Sequence, residues 1–230
     1  RTHGVTEEIW LNEARAEYVP TMLGYDGGNT GRRIAAFSRY PETSLTRWRN
    51  SAGDYGAVKT FAHYLVDHYG VEILVDSLKS DKVGIESIDE ALRMNGYSER
   101  FSDIFTDWTI AVLVNDCSLG ERYCYRNPDL GDLRIAPATN FLPLSYGSSY
   151  SARRSLSEWS AIWQRVVGGT GLVTLEFEGD PDFDYKVPYL LCDNDDSCEV
   201  GFIDLDENNK GSLMTARLRS DTASITFIPS

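Results

Sequence analysis

The sequence predicts an α+β protein in which an all-helical N-terminal part is followed by an antiparallel β-sandwich, and three observations carry that expectation. Apolar residues recur at steps of three and four up to about residue 116. A proline-, glycine-, serine- and tyrosine-rich stretch follows. From residue 161 onward the period becomes two, in six short runs separated by turn signals. The expected organisation is therefore a helical part over 1–116, an irregular connection over 117–154 and a β-sandwich over 155–230.

Residues 7–23 place Ile9, Trp10, Leu11, Ala14, Tyr18 and Leu23 at helical spacing, with the acidic pair Glu7 and Glu8 at the end where the helix dipole favours negative charge. The run GYDGGNTGRR over 24–33 holds too many glycines to stay regular and reads as a loop. Within PETSLTRW, Thr43 or Ser44 suits the cap of a short turn. Residues 54–69 set Tyr55, Val58, Phe61, Ala62, Leu65 and Tyr69 on one face, and Gly70 ends that helix. Shorter helices are expected over 71–79, over 87–94 with Ile88, Ala91 and Leu92 inward, and over 101–115 with Phe105, Trp108, Ile110, Leu113 and Val114. The expected strands lie in AIWQRVV, in LVTLEFEG after a GGTG turn, and in KVPYLLC, EVGFIDL, LMTARLR and ASITFIP.

Composition narrows the class of partner. With 42% hydrophobic and 25% charged residues the chain is ordinary for a globular protein, and no apolar run approaches the roughly 18 residues of a membrane span. A net charge of −13 opposes contact with phosphate backbones, so nucleic acid is excluded as a partner. The four cysteines fall as two local pairs, Cys117 with Cys124 and Cys192 with Cys198. Neither spacing is C-x2-C and no histidine accompanies either pair, which favours disulfides over a zinc site or free thiols. Disulfides persist in oxidising compartments, so a secreted, periplasmic or cell-surface location is expected. The polar start Arg1-Thr2-His3-Gly4 is no signal peptide and reads as a processed or truncated beginning.

The segment with most chemical content is WLNEARAEY, Trp10 to Tyr18. On a bare helix, two glutamates four apart are most often a solvated face. The whole string, however, resembles the glutamate helix of gluzincin metallopeptidases, and further segments are similar in order to the helical part of the hyicolysin family. These are SLTRW, the Tyr55-Gly56 pair opening a helix that ends HYLVDHYG, GIESIDEAL and FTDWTIAVL, with GLVTLEFEGD similar to the strand-rich tail behind such domains. The resemblance implies a helical C-terminal lobe of a secreted zinc endopeptidase that hydrolyses peptide bonds in peptides or proteins through a metal-activated water. It implies Glu13 as a zinc ligand and Glu17, on the same face one turn later, as a group that orients a ligand or contacts the substrate amine or the water. It also implies Tyr55 as an oxyanion donor, although an aromatic at the start of an amphipathic helix is commonly core.

The chain departs from that pattern in one respect. It contains no H-E-x-x-H, a motif that in gluzincins precedes the glutamate ligand by roughly twenty residues, whereas twelve residues precede Glu13 here. The expected partner is thus an N-terminal segment bearing that motif, and the chain alone is expected to be inactive. His63 and His68 are five apart, which turns them away from each other on a helix; His63 reads as packed or surface, His68 as a cation at a helix C-terminus. In the β part, Asp204, Asp206, Glu207 and Asn208 before Gly211 approach a calcium loop one or two residues off the EF-hand template, and an acidic turn explains them equally well. Glu176 and Glu178 alternate outward on their strand. The alternative to an enzyme lobe is a non-catalytic secreted module whose β-sandwich recognises protein or glycan.

Overall fold

The computed structural model describes residues 6–25, 28–143, 147–169, 172–193, 197–215 and 223–230. The polar start, parts of the GGTG turn and of the acidic run near Cys198, and the end of LMTARLR lie outside the described residues. The chain is mixed α and β and divides into two compact units, one made of Arg1–Ile135 with Ser157–Ser160 and the other of Ala136–Leu156 with Ala161–Ser230.

Among its described residues the first unit holds six α-helices: α1 (Ile9–Met22), α2 (Asn29–Arg39), α3 (Ala52–Tyr69), α4 (Glu72–Lys79), α5 (Gly84–Met94) and α6 (Phe101–Val114). Helix α3 is the central one. Ser51 caps it by accepting the Asp54 N–H at 3.2 Å, and the Asp54 carboxylate returns the bond to the Ser51 N–H at 2.9 Å, a reciprocal box that fixes the start of the helix. Its Ala57, Val58, Phe61, Ala62, Tyr64 and Leu65 are fully buried. Phe61 meets Phe101 and Trp108 of α6 at ring-centroid distances of 5.3 and 5.5 Å. Helix α2 occupies part of the stretch read as a loop. Gly28 precedes it at φ +84°, a backbone only glycine adopts cheaply, so the glycines that suggested irregularity in fact launch a helix whose Phe37 reaches the core against Trp108.

Asn115 ends α6 in the left-handed conformation, and its side chain holds the irregular segment that follows. Its Nδ2 donates to the carbonyls of Leu130, Gly131 and Leu133 at 2.8–3.1 Å while its Oδ1 accepts the Tyr125 N–H at 2.8 Å. The expected disulfide Cys117–Cys124 closes a loop in this segment. Residues 157–160 return to the same unit: Trp159 stacks edge-on to Phe101 and Phe105, and its carbonyl accepts the Leu45 N–H at 2.7 Å.

Among its described residues the second unit has seven strands: β1 (Ala138–Leu142), β2 (Gln164–Gly168), β3 (Val173–Glu178), β4 (Pro188–Cys192), β5 (Cys198–Phe202), β6 (Lys210–Thr215) and β7 (Ser224–Phe227). Five form a sheet in the order β1-β2-β7-β4-β5, and β3 pairs with β6 in a second sheet. Neither sheet closes. The antiparallel expectation holds for every pair except β1 with β2, which is parallel. Strand β1 falls in the stretch read as irregular because Ala-Thr-Asn-Phe-Leu lacks alternation and sits at a sheet edge, where half of its backbone groups need no partner strand. Val166, Val173, Leu191, Ala223 and Ile225 form one apolar cluster drawing on both sheets. The second disulfide, Cys192–Cys198, joins directly opposite residues of β4 and β5.

Candidate functional site on the first helix

Helix α1 is anchored at its N-terminal end by a charged cluster. The Glu7 carboxylate accepts Arg15 Nη1 at 2.7 Å, the Gly84 N–H at 2.8 Å and the Glu8 N–H at 3.0 Å. Burial alone would raise the Glu7 pKa, but these hydrogen bonds and the Arg15 charge together outweigh it and hold the group below its ordinary value. Arg15 also donates to Ser77 Oγ at 2.8 Å, so α1 is tied to both α4 and α5. Trp10 and Leu11 are buried, with the Trp10 ring edge-on to Phe101 at 5.8 Å and its indole N–H donated to Glu8.

One turn further on, Glu17 is buried and its Oε1 accepts both Nε (3.1 Å) and Nη2 (2.5 Å) of Arg33 from α2, while its Oε2 accepts Asn29 Nδ2 at 3.3 Å. The same guanidinium lies over the Tyr55 ring of α3, 4.2 Å from its centroid. Trp48 meets that ring edge-on at 4.9 Å, and the Tyr55 hydroxyl donates to Asn50 Oδ1 at 3.0 Å. Buried Lys59 donates from Nζ to the Glu17 carbonyl at 3.0 Å. Arg33 thus links Glu17 and Tyr55, residues that are distant in sequence, through an ion pair on one side and a cation–π contact on the other.

Glu13 differs from its neighbours. It is half-buried, and among the described residues its carboxylate has no hydrogen-bond or ion-pair partner, whereas Glu7, Glu8 and Glu17 all have one. It stands at the margin of an outward stripe made by Ile9, Asn12, Ala16, Val19 and Leu23, all exposed and all but Asn12 apolar, at successive steps of three, four, three and four. With Trp10, Leu11 and Ala14 buried on the opposite side, α1 carries apolar residues on both faces.

The other expected site residues are dispersed. Trp10 is a core residue 1% exposed, packed with Phe61, Phe105 and Trp159 around the Phe101 ring. His63 is fully buried, its Nε2 3.2 Å from Thr21 Oγ1 and its Nδ1 3.1 Å from Asn127 Nδ2, which makes it a packed residue. His68 is not the helix-end cation expected from sequence: burial depresses its pKa, against the raising effect of its hydrogen bond to the Cys124 carbonyl at 2.9 Å. Arg33 and Lys59 were not singled out by sequence. The glycines around Arg33 concealed its helix, and Lys59 carries no spacing signal that separates it from any other helical lysine.

Among the described residues no group of three His, Cys, Asp or Glu side chains is placed to hold a metal ion. In the β unit the Asp206 carboxylate accepts the N–H groups of Asn208 at 2.8 Å and Lys210 at 3.0 Å, and Asn209 takes φ +56°, so this carboxylate closes a turn. Glu176 and Glu178 are exposed, as expected. No helix among the described residues is long and apolar enough to cross a membrane.

No protein-family model matches the chain, and no curated protein matches it. Among solved structures, a family GH115 4-O-methyl-alpha-glucuronidase with specificity for decorated arabinogalactans aligns over 89% of this chain and 31% of its own, at 12% identity and a TM-score of 0.12. At that score the likeness carries no argument about fold or function.

Proposed function

We propose that this chain is the glutamate-bearing lobe of a secreted zinc endopeptidase of hyicolysin type, in which Glu13 is one zinc ligand and the histidine ligands come from outside these 230 residues. The observation that carries the reading is the half-buried Glu13, without a partner among the described residues, beside an exposed, mostly apolar stripe on a helix otherwise pinned by Glu7, Arg15 and Glu17. A helix apolar on both faces is one that a second body covers. A carboxylate left half-desolvated at that margin gains most from a cation arriving with the cover.

The described residues do not amount to a zinc site, which needs three protein ligands and an open position. When bound in the completed enzyme, zinc would polarise the scissile carbonyl and lower the pKa of its water. The chain's own contribution is orientation. Arg33 clamps Glu17 and so fixes the rotation of α1 one turn from Glu13. Tyr55 is held by Arg33 and Trp48, and it serves an oxyanion only by releasing Asn50. The two open sheets serve as a sandwich-like appendage for attachment to substrate or surface.

The test is expression together with the upstream coding sequence, followed by zinc analysis and peptidase assay. Glu13→Gln is expected to lose bound zinc and turnover while keeping its far-UV circular dichroism. Tyr55→Phe is expected to keep zinc and lose about 100-fold in kcat. A parent gene product without H-E-x-x-H, or a fully proteolytic Glu13→Gln enzyme, would sink the reading and leave the binding-module alternative.

A further inference from the structure

The chain contains two positions where basic residues are adjacent, Arg32-Arg33 and Arg153-Arg154. Their settings are opposite. Arg33 is inside α2, held by Glu17 and lying over Tyr55, and Arg32 donates to Asn29 Oδ1 at 2.8 Å. A protease reads an extended stretch of several residues, so cutting there requires the helix to unwind and the Arg33–Glu17 ion pair to break.

Arg153 and Arg154 lie in a segment, 148–157, that has neither helix, strand nor turn. Residues 149–155 are exposed throughout, and 148, 156 and 157 at the ends of the segment are half-buried. Neither arginine has a hydrogen-bond or ion-pair partner among the described residues. Their neighbours Ser151, Ala152 and Ser155 are small, so the backbone meets no bulk on entering a cleft. In a chain of net charge −13 this is an isolated, unpaired double cation, which an acidic protease subsite recognises directly.

We infer that Arg153-Arg154 is a processing site for an endoprotease selective for paired basic residues, and that the cut chain stays assembled. Water adds across the Arg154–Ser155 peptide bond, leaving a carboxylate on Arg154 and an amine on Ser155. Each resulting piece has a share in both units. The N-terminal piece keeps β1, registered from Ala138 opposite Gln164 to Leu142 opposite Gly168, in the second unit. The C-terminal piece keeps Trp159, packed on Phe101 and Phe105 and bonded to Leu45, in the first. The cut therefore relieves the connection without removing either contact, and the inference does not depend on the peptidase reading.

The experiment is digestion of the native 230-residue chain with a serine endoprotease specific for paired arginines, followed by intact-mass analysis and native size-exclusion chromatography. The expected result is one cut after Arg154, two fragments that co-elute at the size of the uncut chain, and no cut after Arg33. Arg153→Gln with Arg154→Gln is expected to abolish cleavage while leaving the elution volume unchanged. A cut after Arg33, no cut at all, or fragments that separate on the column would each overturn the proposal.

Discussion

Glu13 and Glu17 stand one helical turn apart, and stability measurements separate their roles. Glu17→Gln leaves the half-buried Arg33 charge with a neutral partner and is expected to destabilise the helical unit by about 1–3 kcal/mol in urea unfolding. Glu13→Gln removes no contact within the described residues and is expected to shift stability by less than about 0.5 kcal/mol. A large loss at Glu13 would mark it as structural. Asp107 on α6 gives a second residue-level test. Burial first, then repulsion from Asp103 and Glu99, raise its pKa to about 6 against the attraction of Arg122, whose Nη1 lies 3.7 Å away. Because the folded pKa lies above the unfolded value of 3.8, the stability associated with the neutral acid is full below pH 4 and is lost as pH rises through 6. Asp107→Asn is therefore expected to gain about 1–2 kcal/mol at pH 7.5 and nothing at pH 4, the lost ion pair with exposed Arg122 costing little.

At the scale of elements, the site depends on how closely α2 approaches α3. A Cβ on Gly56 would stand 2.7 Å from the Arg33 carbonyl and 2.8 Å from the Phe37 N–H, so the two backbones meet where glycine leaves room. Gly56→Ala is expected to destabilise by about 2–3 kcal/mol and to separate Arg33 from Tyr55, read as increased exchange of the α2 amides. Helices α3, α4, α5 and α6 were legible because a one-sided apolar period, a cap or a terminal glycine marks them. Helix α2 was not, since glycine content argues for a loop while the burial of Phe37 against Trp108 decides for a helix. The parallel pairing of β1 was likewise illegible, because nothing in a five-residue, mostly exposed strand without alternation specifies which edge it joins.

For the whole molecule, the proposed function makes the chain a part that gains its metal only in company. The isolated 230-residue protein is expected to retain less than one zinc per chain after dialysis against metal-free buffer and to leave a denatured protein substrate uncut. Stoichiometric, dialysis-resistant zinc would contradict the single-ligand account. The two disulfides, Cys117–Cys124 in the helical unit and Cys192–Cys198 in the β unit, each close a short loop and fit an oxidising compartment.

Sequence by itself determined the helical and strand-forming halves and the two local cystines, because periodicity and short-range spacing are properties of neighbouring residues, while Glu13, Glu17 and Tyr55 stood out only through the resemblance to the gluzincin glutamate helix. Only the tertiary structure decided which of those side chains remains available. Glu17 is consumed by Arg33, Trp10 by the aromatic core and Asp206 by its own turn, while Glu13 keeps a carboxylate without a partner among the described residues. The physical reason is that a polar side chain's role depends on what meets it across the fold, and those partners come from helices and loops that no local pattern connects to it.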